Sequence, residues 1–124
     1  MSAEHESLYS LYTRGMSLLE SGNYEQAAVP LRKAARLAPE KSSIREALGR
    51  ALFRSRHFEE AVPEFEAVLE RYPVNDFAHF CLGRALTLSG ERDRARRHLA
   101  IAANLRPERR DYRLYRERLG ASAR

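Results

Sequence analysis

The chain repeats itself every 34 residues. Gly15, Gly49 and Gly83 stand 34 apart, as do Leu18, Leu52 and Leu86, then Ala27, Ala61 and Ala95, and finally Pro39, Pro73 and Pro107. Four registers kept over three copies constrain the fold more than any local propensity. A unit this short cannot bury an apolar face by itself, so successive copies have to stack and share one core, with about three copies as the minimum for stability. Stacking builds a long surface rather than an enclosed pocket, which directs the functional expectation toward binding and away from catalysis.

Within each copy the apolar spacing is helical. Leu8, Leu11, Gly15 and Leu18 recur at i, i+3, i+7 and i+10, one face of a 3.6-residue helix, and strand alternation is absent. Ser21-Gly22-Asn23 and Ser89-Gly90 break the pattern where glycine can end a helix in the left-handed conformation. A second helix is predicted from about Glu25 to Leu37, stopping before Pro39. Pro30 and Pro63 fall inside second helices and are expected to kink them without breaking them. Glycine in mid-helix costs about 0.5–1 kcal/mol relative to alanine, so Gly15, Gly49 and Gly83 imply close packing. The expected partners are the small residues Ala27, Ala61 and Ala95 on the second helix. Ser43-Ile44-Arg45-Glu46 reads as a capping box that starts the first helix of copy two.

A 34-residue helix–turn–helix unit of this kind resembles the tetratricopeptide repeat. The pattern runs Leu11, Gly15, Leu18, Tyr24, Ala27, Leu31, Ala34, Pro39 in copy one; Leu48, Gly49, Leu52, Phe58, Ala61, Phe65, Val68, Pro73 in copy two; and Leu82, Gly83, Leu86, Ala95, Leu99, Ala102, Pro107 in copy three. Three positions depart from it: Arg45 and His79 replace the apolar residue at Leu11, and Arg92 replaces the aromatic at Tyr24 and Phe58. The resemblance implies an all-α, right-handed α-solenoid forming one domain over residues 1–124. Repeats are expected at about 8–41, 42–75 and 76–109, with a capping helix at about 108–119. The stripe Tyr112, Tyr115, Leu119 supports that cap, and a frayed tail is expected from Gly120 to Arg124.

Copy one carries a second apolar stripe, Tyr9, Tyr12, Met16 and Leu19, that a thin solenoid has no core to receive. In the resembled family this stripe lines a concave groove where partner segments bind. Offsets of 34 add Ser43, Glu46, Arg50 and Phe53, then Phe77, Phe80, Arg84 and Thr87, with Arg54 adjoining. The candidate groove is therefore Tyr9, Tyr12, Met16, Glu46, Arg50, Phe53, Arg54, Phe77, Phe80 and Arg84, aromatic at both ends and basic in the middle. It fits a protein or peptide partner with apolar anchors and a carboxylate. Aromatics covered by the chain's own ends, or Glu46 and Arg50 paired at i, i+4, would be the alternative use of these residues. Co-chaperones of the family grip a terminal carboxylate with Lys and Asn. The matching places here hold Tyr12, Met16, Ala47, Phe77 and Cys81, so that clamp is not expected.

Charge is unevenly placed. Residues 1–90 hold 11 basic and 12 acidic side chains, whereas residues 91–124 hold 11 basic and 5 acidic. Arg94, Arg96, Arg97, Arg109, Arg110 and Arg113 form a possible patch for an anionic partner, which makes an RNA-associated protein the alternative reading; a self-associating scaffold is a third. The chain offers no nucleophile–base–orienter spacing and no phosphate-cradling glycine loop, so neither an enzyme nor a cofactor is expected. His5, His57, His79 and His98 are scattered, so no metal is expected. The single Cys81 cannot form an internal disulfide. Met1 to Ser7 lacks a basic segment followed by an apolar run, and no stretch reaches the ~18 apolar residues of a membrane span. The expected location is the cytoplasm.

Overall fold

The computed structural model describes residues 6–122 and, among them, seven helices and no strand. They are α1 (Leu8–Glu20), α2 (Tyr24–Leu37), α3 (Ser42–Arg54), α4 (Phe58–Arg71), α5 (Asp76–Leu88), α6 (Arg92–Leu105) and α7 (Arg110–Ser122). Each start lies 34 residues after its counterpart, and α7 keeps the same register. The last helix is thus the first half of a fourth unit, and it continues through Gly120, where fraying was expected; residues 123–124 lie outside the described part.

The register also sets the helix ends. Ser7 and Asn75 occupy the N-cap, and their side-chain oxygens accept from Ser10 N and Ala78 N at 3.0 and 2.9 Å. Lys41 occupies the same place in copy two and has no acceptor to offer. The capping box at Ser43 does not form, because the helix has already begun at Ser42 and Ser43 lies within its first turn. Each first helix closes in a two-bond αL turn in which residues 22, 56 and 90 take φ of 85°, 71° and 91°. Glycine does this without cost in copies one and three, and Arg56 does it in copy two. Helices α2 and α4 each run 14 residues through Pro30 and Pro63 without a break.

The mid-helix glycines make room for large side chains, not for alanines. A Cβ on Gly15 would stand 2.5 Å from Leu31 Cγ, one on Gly49 would stand 2.9 Å from the Phe65 ring, and one on Gly83 would stand 2.7 Å from Leu99. Leu31, Phe65 and Leu99 again keep the 34-residue register, so each hairpin is closed by one bulky residue set over one glycine. Ala27, Ala61 and Ala95 are fully buried beside them.

The hairpins share a continuous core from Leu11 to Leu119. First helices pack backbone to backbone on the first helices of the next unit, α1 on α3, α3 on α5 and α5 on α7, while α2, α4 and α6 stand further apart and meet only through long side chains. The stack therefore curves with α1, α3, α5 and α7 on its inner side. Three register positions show how the ends are finished. They hold Ile44, Ala47 and Ala51 in copy two, Ala78, Cys81 and Ala85 in copy three, and Tyr112, Tyr115 and Leu119 in α7. In copy one they hold Ser10, Thr13 and Ser17.

The departures at Arg45 and His79 turn out to be built into one recurring contact. Leu11 and Pro30 are both buried in copy one; the equivalent residues are Arg45 and Glu64, joined at 2.6 Å, and then His79 and His98, whose Nδ1 atoms are 3.0 Å apart. Arg45 Nη1 also donates to Pro39 O at 3.1 Å and His79 Nε2 to Pro73 O at 2.8 Å, and Arg113 of α7 donates to Pro107 O. Polar residues at this position tie each first helix to the proline that ends the preceding hairpin.

Candidate functional site

The candidate groove residues lie on the inner helices, and the structure separates them into two groups. Arg50, Phe53 and Arg54 from the last turns of α3 meet Phe77, Phe80 and Arg84 from α5 around a depression of about 230 Å³. Tyr9, Tyr12, Met16 and Glu46 stand outside it. Tyr9 is 78 % exposed, whereas Tyr12 and Met16 lie half-buried against the core. Leu19 is fully buried, so the second stripe of copy one is narrower than its spacing implied.

Phe80 corrects the expectation of a free aromatic anchor. It is only 8 % exposed, because the capping helix lays Tyr112 on it, ring centroids 4.6 Å apart, and sets Tyr115 edge-on at 5.4 Å. Tyr112 is itself fully buried, and its hydroxyl donates to Asp76 Oδ2 at 2.7 Å. Burial and that carboxylate both hold the phenol well above its ordinary range. Phe80 is thus the floor of the depression, and Phe53 and Phe77 remain half-buried as its walls.

Two of the three arginines here are held by rings. Arg84 lies between Phe53 and Tyr115, its guanidinium carbon 5.0 and 4.4 Å from the two ring centroids, and Arg54 covers Tyr24 at 4.4 Å. Among the described residues no carboxylate lies within ion-pair distance of Arg50, Arg54 or Arg84, and Glu46 does not pair with Arg50. Cys81 sits in the same wall. Burial and then Glu46 push its thiol up to about 12 against the opposing pull of Arg50 and Arg84, so it is a protonated, apolar side chain at neutral pH.

Half of the carboxy-terminal patch is paired with carboxylates. Arg94 pairs with Glu66 and Glu91, Arg96 with Asp93 at 3.0 Å and Arg109 with Asp111 at 2.8 Å, while Arg113 is turned onto the Pro107 carbonyl. Arg97 and Arg110 have no such bond among the described residues, and Arg113 meets a carbonyl rather than a carboxylate. Among the described residues there is no group of three His, Cys, Asp or Glu placed to hold a metal ion, and no helix is long and apolar enough to cross a membrane.

With that geometry in place, comparison with known proteins gives the family. The tetratricopeptide repeat profile matches residues 12–75 and 46–107. The chain belongs to the tetratricopeptide repeat family. Among solved structures, this repeat protein is similar to MamA (residues 41 to the end) from Desulfovibrio magneticus RS-1, with a TM-score of 0.91 and 23 % identity over 97 % of this chain and 68 % of that one. It is similar to the first tetratricopeptide domain of Spaghetti (RPAP3) bound to the HSP90 peptide SRMEEVD, with a TM-score of 0.85 and 16 % identity over 94 % and 92 % of the two chains. It is also similar to YrrB, a tetratricopeptide protein described as having an unusual peptide-binding site, with a TM-score of 0.81 and 23 % identity over 91 % and 58 %. At these identities the likeness is one of fold. No curated protein matches the sequence.

Sequence reasoning missed two partners of the arginines in the tetratricopeptide stack, Tyr24 at the start of α2 and Tyr115 on the inner face of α7. Tyr115 belongs to the cap stripe by its spacing, yet it also stands 34 residues after Cys81. Extending the repeat register past Pro107 would have placed it on the inner face.

Proposed function

We propose that this tetratricopeptide protein is a non-enzymatic cytoplasmic adaptor that binds a segment of a partner protein on its inner face. Apolar anchors enter the depression between α3 and α5, and a carboxylate meets Arg50, Arg54 or Arg84. The observation that carries the reading is the trio of arginines on an aromatic-walled depression, with no carboxylate partner among the described residues. Structural relatives with a bound peptide or a described peptide-binding site, RPAP3 and YrrB, support the same use of the fold. One well-buried anchor contributes about 1.5–3 kcal/mol, and the entropy of ordering the segment offsets part of it, which puts affinity in the roughly micromolar range.

The test is selection of binders from a displayed random peptide library on the intact protein, followed by fluorescence anisotropy. Phe77→Ala should weaken the selected peptides by about tenfold or more, an anchor-sized loss, with an unchanged circular dichroism spectrum. Selection that yields no peptide, or peptides indifferent to Phe77→Ala, would overturn the reading.

A further inference from the structure

A second depression lies beyond Arg84. It holds about 190 Å³ between α5, α6 and the capping helix, with the buried Leu99 and Leu119 at its base, the exposed Leu88 at its rim, and Arg84, Arg92, Tyr115 and Arg118 around it. Arg84 lines both depressions, so it is the partition between them. Its guanidinium carbon is 4.4 Å from the Tyr115 centroid, and that of Arg118 is 5.1 Å from the same ring. Two cations thus share one aromatic ring, and among the described residues neither has a carboxylate within ion-pair distance.

That arrangement is unusual within this molecule. Just before the same helix Arg109 is bound to Asp111 at its start, and in α6 Arg94 and Arg96 are bound to Glu91 and Asp93. Two arginines against one ring concentrate positive charge there, and a carboxylate is the group that complements it. A cavity of about 150 Å³ lined by aliphatic side chains accepts a benzene; the second depression therefore has room for one apolar side chain.

We infer that the capping helix is part of the recognition surface: Arg84 and Arg118 together take the carboxylate of an acidic residue in the partner segment, with one apolar neighbour of that residue entering each depression. This rests on the peptide-binding reading above and gives the partner a chemical signature, a Glu or Asp flanked on both sides by apolar side chains. A helix read from its sequence as a lid over the last repeat thereby supplies specificity through Arg118 and Tyr115, in a part of the groove distant from α1.

The experiment uses the full chain and the peptides selected from the random library. Wild type should enrich peptides with the apolar–acidic–apolar pattern. Arg118→Ala, an exposed position, should weaken the best of them by about tenfold, as expected for loss of one charge-assisted contact. It should leave unchanged the already weak binding of the same peptide with its Glu replaced by Gln. If Arg118→Ala and wild type bind alike while Phe77→Ala still weakens binding, peptide recognition stands and the α7 subsite is wrong. If no peptide is enriched, both fail together. A dimer in light scattering that Arg118→Ala dissociates would give the subsite to a second copy of the chain and overturn the proposal.

Discussion

The two sides of the stack handle the same residue type in opposite ways. On the side of α2, α4 and α6, arginines join neighbouring copies through carboxylates: Arg32 to Glu60 at 3.1 Å between copies one and two, and Arg94 to Glu66 between copies two and three. These are one contact at successive registers with its polarity reversed. On the inner side Arg50, Arg54 and Arg84 have no carboxylate within ion-pair distance among the described residues, and rings hold Arg54 and Arg84 in place. Arginine that serves the fold is neutralised within the chain, and arginine left open is available to something else. The contrast also separates two kinds of aromatic residue, those that close the stack and those that face outward.

The largest effect should come where the inner face is structural. Tyr112→Ala removes a fully buried ring, its bond to Asp76 and the cover over Phe80. Deleting a buried aromatic of this size costs about 3–5 kcal/mol. Urea unfolding should show that loss together with new binding of a hydrophobic dye, as α7 releases Phe80. A loss under about 1 kcal/mol would mean that the capping helix is not docked as described, and the inner face would then be more open than drawn.

Next in size is the contact between the two sides, Arg45 with Glu64. Both side chains are mostly buried, 22 % and 15 % exposed, so Arg45→Ala strands a carboxylate and vacates the Pro39 carbonyl. A loss of about 1–3 kcal/mol is expected, measured as a shift in the urea midpoint. The outer pair Arg32–Glu60, with both partners about half exposed, should yield less than about 1 kcal/mol to the same measurement and fade with salt.

Copy three replaces that ion pair by His79 and His98, and the replacement makes it sensitive to pH. His79 Nε2 must donate to the Pro73 carbonyl, so His79 Nδ1 is an acceptor when the ring is neutral, and His98 Nδ1 donates to it. Burial lowers the pKa of His98 from 6.5, as do His79, Arg94 and Arg97, and Glu66 opposes them. The unfolded chain then takes up this proton more readily than the folded one. The contribution is complete above about pH 6.5 and is lost as pH falls below it toward the depressed folded value. Relative to His98→Gln, which keeps a donor and cannot titrate, wild type should lose melting temperature between pH 8 and pH 5.5. A constant difference between the two proteins over that range would refute the assignment.

Much of this architecture was legible because a 34-residue period fixes every helix once one is placed, and Gly15, Gly49 and Gly83 mark the register directly. What escaped was decided by contacts between units. The bulky residues over the glycines sit one turn beyond the alanines that small-to-small matching favoured. The Ser43 capping box satisfied a local rule and lost to the global register, which put the helix start next to Lys41. Phe80 looked free because its cover, Tyr112, lies in a segment read only as a lid. Arg56 in the left-handed region has no glycine to announce it, since copy two keeps the turn and not the residue. The ten-residue groove narrowed to six around one depression for the same reason: sequence offsets say which side chains share a side of the stack, and packing across units decides which of them meet.

The smallest change in stability should come from the residue on which binding most depends. Arg84→Met keeps an unbranched apolar stem between Phe53 and Tyr115, where a thioether packs well against rings. It forfeits two cation–ring contacts worth about 0.5–1 kcal/mol each, and it also removes a positive charge from beside Arg118 on the Tyr115 ring. These terms oppose each other, so the urea midpoint should move by no more than the equivalent of about 0.5 kcal/mol, against the larger loss at Arg45. Peptide affinity should nevertheless fall more than for any other single arginine replacement, since Arg84 borders both depressions. A stability loss matching that of Arg45→Ala would place Arg84 among the arginines that hold the fold, and the distinction between the two sides would no longer separate structure from recognition.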